Sequence, residues 1–529
     1  MRTAVFVAAA LAMSAPAASA APYDVAEKDI ATFQADLAAG RVTSAALVRA
    51  YLKRISALDR RGPKLRSVIA VNPRALADAR ALDAERKATG PRGPLHGIPI
   101  LIKDNIETLD PLPTTAGSLA LADNLTGRDA PVVARLRTAG IIVLGKANLS
   151  EWANIRSSHS ISGWSAVGGL VKNPYVLDRS ACGSSSGSAA AVAASLAAAA
   201  IGTETDGSLV CPGSINGIVA FKPTLGLVSR THIVPIAHSQ DTAGPMTRSV
   251  ADSALLLAAI AGSDAADGAT LPADGNKADY TAVLAKFSLR GRRLGVVMPS
   301  SPGDTDALFL AALAALKGAG AEIVEIKDFT PPPPEAGDKE LMVLEYELKN
   351  DLNAYLAGLP SAPVRTLSDL IAFNKRTPRE TVLFGQDLFE AADATPGLSD
   401  PGYVKARDEL KSTSQDLLDR LLTSHRLDAL LRPTDGPSFR IDVAKGDNDS
   451  SSASFLPATA GYPHLTVPMG FARGLPVGLS FIGEPWSDAK LLALGHAFEQ
   501  LTHARRPPKY LKSLEDEPEI TRAFAPAAR

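Results

Sequence analysis

The run Ile98-Pro99-Ile100-Leu101-Ile102 is apolar at every position and is followed at once by Lys103-Asp104-Asn105. Strand side chains alternate between two faces, so an unbroken apolar run describes a strand covered on both sides. Residues 141–144 and 218–221 repeat the pattern, and 475–483 form a longer run bracketed by glycine. Helical stretches separate these runs. Residues 26–39 and 44–58 are amphipathic, with Gly40 stopping the first and Thr43 or Ser44 capping the second. Residues 131–139 and 188–196 are helical, and Ser249 caps a helix over 250–261. Short buried strands alternating with helices predict an α/β fold.

The chain has 529 residues, 46% of them apolar and 21% charged, which suits one large globular domain. Net charge is −1, from 55 basic and 56 acidic residues, so no electrostatic footprint for nucleic acid is present. Residues 1–20 have the form of an export signal. Arg2 is the basic start, 4–13 the apolar stretch and Ala18-Ser19-Ala20 the cleavage site. The mature chain is then expected to begin near Ala21, in the periplasm or outside the cell. No cysteine follows the cleavage site, so no lipid anchor is expected. No later run is long and apolar enough for a membrane span; the Ala-rich residues 189–201 come nearest. From about residue 264 the texture changes. Gly268, Pro272 and Gly275 mark a linker, and 293–297 and 322–326 read as strands around a helix at 305–318. Pro331 to Pro334 form a stiff piece, and 341–356 and 403–422 read as long surface helices. Shorter strands are expected at 427–431 and 465–467. The domain is thus read as residues 21–529, with an elaborated, lid-like substrate region at about 264–430.

Three segments carry candidate chemistry. Thr205-Asp206-Gly207-Ser208 follows an apolar run, and a turn there can aim several backbone N–H groups at one point, as stabilisation of an oxyanion requires. Taken alone, it is equally ordinary turn chemistry. Lys103 ends a buried strand, at the edge where open α/β sheets place their sites. Burial favours a neutral amine, and a neutral lysine serves as a general base. The plainer alternatives are a lysine leaving for solvent or pairing with Asp104. Ser184 lies in Gly183-Ser184-Ser185-Ser186-Gly187. Its hydroxyl both donates and accepts, so it can pass a proton between an amine and another hydroxyl. The alternatives are a structural Gly/Ser loop or a phosphate-binding one, though the lysine of a P-loop is missing.

Together these segments resemble the amidase signature family, whose pattern reads Lys-Asp-Asn after a strand, then Gly-Ser-Ser-Gly, then Gly-Thr-Asp-x-Gly-Gly-Ser. Ser208 lies 24 positions after Ser184, the separation that pattern requires. Leu95-His96-Gly97-Ile98-Pro99, Gly145-Lys146-Ala147-Asn148 and Gly244-Pro245-Met246-Thr247-Arg248 are similar too. The resemblance covers about 25–262 and 425–505. It implies Ser208 as nucleophile, Ser184 as a relay on a cis peptide bond, Lys103 as base, and Thr205, Asp206 and Gly207 around the oxyanion. It also implies a mixed, mostly parallel central β-sheet covered by helices on both faces, and hydrolysis of amides without metal or cofactor. Cys182 and Ser186 depart from usual glycines, Glu204 from the usual Asp and Asp206 from the usual Gly. The Thr203-Glu204-Thr205-Asp206-Gly207-Ser208 variant is closest to the bacterial peptide amidase branch, which deamidates peptide C-termini.

A rival arrangement makes Ser185 the nucleophile of a Gly-x-Ser-x-Gly elbow, with Asp435 and His464 or His496. The charged residues of Val176-Leu177-Asp178-Arg179-Ser180 break the strand that an elbow needs. A non-catalytic amide-binding protein is a second rival. A third is an ammonia-supplying amidotransferase component, which needs a cytosolic partner and fits poorly with export. None of the eight histidines forms a metal-binding pair by spacing. His232, His238, Trp164 and Tyr175 are open to either pocket or structural roles. Cys182 and Cys211 flank the two serine segments, and the sequence leaves open a disulfide or two buried thiols.

Overall fold

The computed structural model describes residues 23–298, 303–447 and 453–524, so the expected export signal lies outside the described residues. The strands are β1 (Val68–Val71), β2 (Pro99–Lys103), β3 (Ile142–Ala147), β4 (Trp164–Ser165), β5 (Gly169–Leu170), β6 (Ala199–Glu204) and β7 (Val219–Lys222). They continue with β8 (Thr242–Thr247), β9 (Arg293–Val296), β10 (Glu322–Glu325), β11 (Ala429–Pro433), β12 (His464–Ala472) and β13 (Leu475–Ile482). All but β4 and β5, which form a small hairpin, join one sheet in the order β1-β3-β2-β6-β8-β7-β12-β13-β11-β9-β10. Every residue of β2, β3 and β6 is buried. The unbroken apolar runs of the sequence are therefore the middle of the sheet, with helices against it.

The sheet is mixed, as expected, but parallel pairing does not dominate. Four pairings are parallel and six antiparallel. Two features account for the difference. The chain doubles back between β12 and β13 through Arg473-Gly474, both at positive φ, a turn that suits tight hairpins. β8 runs antiparallel between β6 and β7 through Thr-Ala-Gly-Pro-Met-Thr, a sequence with little strand character of its own.

The segment after residue 264 is not a single appendage. Its strands β9 and β10 complete the sheet edge, pairing in parallel with each other, and β9 also with β11. The helices Glu335–Ala357, Leu367–Arg376 and Asp387–Ala394 instead form a separate layer. They share an apolar cluster, including Leu348, Leu352, Leu370 and Phe389, with Trp152, Val234 and Ile236.

The helix Ser186–Ala193 is built of small residues and lies wholly inside the molecule. Gly187 shows why. A Cβ there would stand 2.3 Å from the carbonyl oxygens of both Asn148 and Ser67, while its N–H donates to that Asn148 oxygen at 3.0 Å. The helix start is pinned by backbone and cannot yield. Gly187→Ala is expected to cost roughly 3 kcal/mol, seen as a lower melting temperature and soluble yield. Gly93→Ala, where a Cβ meets nothing within 4 Å, is the control that leaves both unchanged.

Candidate active site

β2 and β6 pair in parallel, with Ile102 opposite Ile201. That register brings Lys103, the last residue of β2, beside Thr203 near the end of β6. Lys103 is fully buried. Its Nζ donates to Thr203 Oγ1 at 2.8 Å and to the Thr203 carbonyl at 3.3 Å, and lies 2.7 Å from Ser184 Oγ. Asn105 Nδ2 donates to the same Thr203 Oγ1 at 3.0 Å. Burial pushes the Lys103 pKa down to about 7, against the opposing pull of Asp241 and Glu204. A neutral amine has two N–H groups and one lone pair. An amine that gives both N–H groups to the Thr203 oxygens has its lone pair left for Ser184 Oγ.

Lys103 neither exits to solvent nor pairs with Asp104. Asp104 instead faces the buried Lys146 at 3.8 Å and accepts from the Thr115 N–H at 3.3 Å. The peptide bond between Gly183 and Ser184 is cis. The Ser184 carbonyl accepts from Ser150 N–H at 3.0 Å, and the Ser185 N–H donates to the Ser208 carbonyl at 3.2 Å. The two serine-bearing segments are thus joined by backbone.

The turn carrying Ser208 is braced by carboxylates on two sides. Glu204 Oε2 accepts from the N–H groups of Leu209 at 2.7 Å and Val210 at 3.0 Å. Its pKa is raised by burial, while Lys222 draws it back down. On the other side, Thr205 Oγ1 donates to Asp241 Oδ1 at 2.6 Å, and Asp241 Oδ2 accepts from the N–H groups of Ile236 and Ala237. Gly207 makes the turn with φ +79°. A cavity of about 340 Å³ opens onto this turn and is lined by Thr205, Asp206, Gly207, Ser208 and Gly183. Leu344, from the helix Glu335–Ala357, lies over it. One turn earlier, the buried Glu340 accepts from Gln240 at 2.8 Å; burial, then the neighbouring charge of Asp206, pushes its carboxyl far above the usual range.

Cys182 and Cys211 are joined by a disulfide with Cα atoms 6.1 Å apart, and both line the same cavity. This resolves the pairing that the sequence left open. The bond links the stretch before Ser184 to the helix Val210–Ile215 that follows Ser208.

The rival arrangement on Ser185 is not assembled. The Ser185 hydroxyl donates to the Thr203 carbonyl at 3.0 Å and accepts from the Thr203 N–H at 3.2 Å. His464 faces Ser480 Oγ at 2.6 Å, and burial, with Lys222 and Arg432 adding, holds its pKa well below the ordinary value. His496 lies beside Glu499 on the helix Asp488–Thr502. Trp164 packs edge-on against Phe384, and the Tyr175 hydroxyl donates to the Arg506 carbonyl, so both are structural. His232 lies 4.0 Å from Glu107.

His238 lines a second cavity, of about 380 Å³, which shares Ala153, Thr205 and Ile236 with the first. With Glu347 and Asp351 it brings one imidazole and two carboxylates within 4.8 Å. Histidine spacing could not reveal this group, because its members come from distant segments. Nδ1 already faces Asp351 at 2.8 Å and Nε2 faces Glu347 at 3.5 Å. The Asp351 hydrogen bond raises the His238 pKa, which suits an ion cluster tying the helical layer to the 229–241 loop.

Known proteins place this geometry in a class. The amidase family model matches residues 46–492. A probable amidase of Arabidopsis thaliana is 41% identical over 483 residues, 89% of each chain. The native peptide amidase of Stenotrophomonas maltophilia superposes with a TM-score of 0.87 at 51% identity, covering 92% of this chain and 99% of that one. An amidase family protein of Bacillus anthracis superposes with a TM-score of 0.84 at 36% identity, covering 92% of this chain and 93% of its own. Fold and site together define an amide-hydrolysing enzyme. The chain belongs to the amidase signature family.

Proposed function

We propose that this enzyme is an exported peptide amidase. It hydrolyses C-terminal carboxamides through an acyl-enzyme, using Ser208, Ser184 and Lys103. The observation that carries the reading is the buried Lys103 amine, held between both Thr203 oxygens and Ser184 Oγ, which lies 2.7 Å from it. In this mechanism neutral Lys103 draws a proton through Ser184 from Ser208. Ser208 Oγ attacks the carboxamide carbon. Backbone N–H groups of the Thr205, Asp206, Gly207 and Ser208 turn hold the oxyanion, a stabilisation that is usually the largest catalytic contribution. The proton returns through Ser184 to the leaving nitrogen, ammonia departs, and water cleaves the ester by the same relay.

Peptide substrates are supported by the 51% identity to the S. maltophilia peptide amidase. A lid role for the helix Glu335–Ala357 is supported by Leu344, which lines the cavity that opens onto the Ser208 turn. Export is supported by the form of residues 1–20 and by a disulfide that suits an oxidising compartment. Among the described residues no helix is long and apolar enough to cross a membrane.

Ser208→Ala and Lys103→Ala are each expected to lower kcat on a peptide amide by about 10³-fold or more, followed by ammonia release. Lys103→Arg does not restore activity, because a guanidinium stays protonated. Near-wild-type turnover by Ser208→Ala overturns the nucleophile assignment. Below the Lys103 pKa of about 7 the amine is charged and cannot accept a proton. The value of kcat/KM should therefore rise with pH to a plateau above 7, and a flat profile from pH 5 to 8 removes Lys103 as base. Expressed with its leader in a Gram-negative host, the enzyme is expected in the periplasmic fraction with Ala21 at its N-terminus, read by N-terminal sequencing.

A further inference from the structure

The helix Glu335–Ala357 holds the loop at 229–241 through three carboxylates. Asp351 Oδ2 accepts the His238 N–H at 3.1 Å and faces its Nδ1 at 2.8 Å. Glu347 Oε2 accepts the Ser239 N–H at 2.9 Å. Glu340 Oε1 accepts from Gln240 Nε2 at 2.8 Å. Three consecutive loop residues are thus laid along one face of the helix.

The same loop grips the turn that carries Ser208. Asp241 accepts the Thr205 hydroxyl at 2.6 Å. Gln240 reaches the backbone of the same residue. The amide nitrogen held by Glu340 also donates to the Thr205 carbonyl, at 3.4 Å. A carbonyl only accepts, so the nitrogen end of the Gln240 amide faces the turn, and that nitrogen carries enough N–H groups for both oxygens. The Thr205 carbonyl and the Asp206 N–H belong to one planar peptide unit, and the one cis bond among the described residues is Gly183-Ser184. In a trans unit the carbonyl and the N–H point in opposite directions. Whatever orients the Thr205 carbonyl therefore orients the Asp206 N–H, one of the groups around the oxyanion. Leu344 lies on the same helix, between Glu340 and Glu347, and lines the Ser208 cavity. A substrate in that cavity meets the element that places Gln240.

The geometry points to Gln240 as a positioning residue that ties the oxyanion turn to the helix Glu335–Ala357. Glu340 places its amide, and the amide sets the Thr205-Asp206 peptide unit. The turn is correctly aimed only while the helix is seated over the cleft. The inference rests on the amide-hydrolase reading of Ser208. It goes further by naming the contact through which the helical layer acts on the reacting centre.

Gln240→Met keeps the side-chain length and removes the donors. Its kcat on a peptide amide is expected to fall by about tenfold or more, with KM within about twofold of wild type, because the lost support acts on the transition state. Calorimetric binding of the peptide to Ser208→Ala is expected to be the same with and without Gln240→Met. A fluorophosphonate reagent should label Ser208 of Gln240→Met more slowly by a similar factor, which reads the turn without an amide. Glu340→Leu releases the same amide and should show the same loss of kcat with KM kept; it carries the test if Gln240→Met does not fold. The double variant is expected within about twofold of the slower single variant, because both break one link. A kcat within about twofold of wild type for the folded variant overturns the proposal. So do losses that multiply in the double variant, and so does a rise in KM at unchanged kcat, which would assign Gln240 to substrate binding. If the wild type hydrolyses no amide while Ser208 is labelled, and Gln240→Met slows the labelling, the amidase reading fails and the coupling stands. Absence of labelling as well overturns both.

Discussion

A primary amine enclosed by protein is the constraint from which the rest of the site follows. Removing Lys103 from water penalises its charged form, and nothing among its immediate partners compensates with a carboxylate at contact distance. Its contacts are two oxygens of Thr203 and one of Ser184. That set suits an uncharged nitrogen. The parallel pairing of β2 with β6 places lysine and threonine side by side, so sheet register sets the surroundings of the amine. A slip of a single residue would turn Lys103 to the opposite face and leave Ser184 without its partner.

The turn carrying Ser208 depends on a different kind of support. Glu204, buried, accepts two backbone N–H groups just after the turn, and Asp241, half-buried, accepts the Thr205 hydroxyl and the N–H groups of Ile236 and Ala237. These hydrogen bonds and, for Glu204, Lys222 oppose the desolvation that still holds both carboxyls above their ordinary range. This explains how Asp206 and Glu204 can occupy positions where the family more often has Gly and Asp. The turn is fixed by what grips its backbone, with Gly207 as the residue whose positive φ it needs.

Much of this is legible in the amino-acid sequence. The apolar run ahead of Lys103 announces both its strand and its burial, because strands covered on both faces leave a distinctive trace. Caps at Thr43 and Ser249 are visible for the same local reason, and both side chains accept the expected N–H. What escapes is non-local or lacks a propensity signal. Thr203, the anchor of the lysine, is one threonine among many until β6 is set beside β2. Asp241, Glu340 and Asp447 reach the site from three separate parts of the chain. β8 is hidden because Gly244 and Pro245 suppress strand character, and the preponderance of antiparallel pairings is hidden with it. The cysteine pairing depends on how closely the fold brings two distant segments together, which no local pattern encodes.

The layer formed by Glu335–Ala357, Leu367–Arg376 and Asp387–Ala394 packs on an apolar cluster that it shares with Trp152, Val234 and Ile236 and that is distinct from the main core beneath the sheet. Such an arrangement separates two inheritances. Outward-facing side chains of the layer can be exchanged without touching the sheet, whereas its buried side chains pack on Ile236, whose N–H grips Asp241. One scaffold can in this way furnish enzymes of divergent appetite, with novelty confined to the outer side chains of an upper storey.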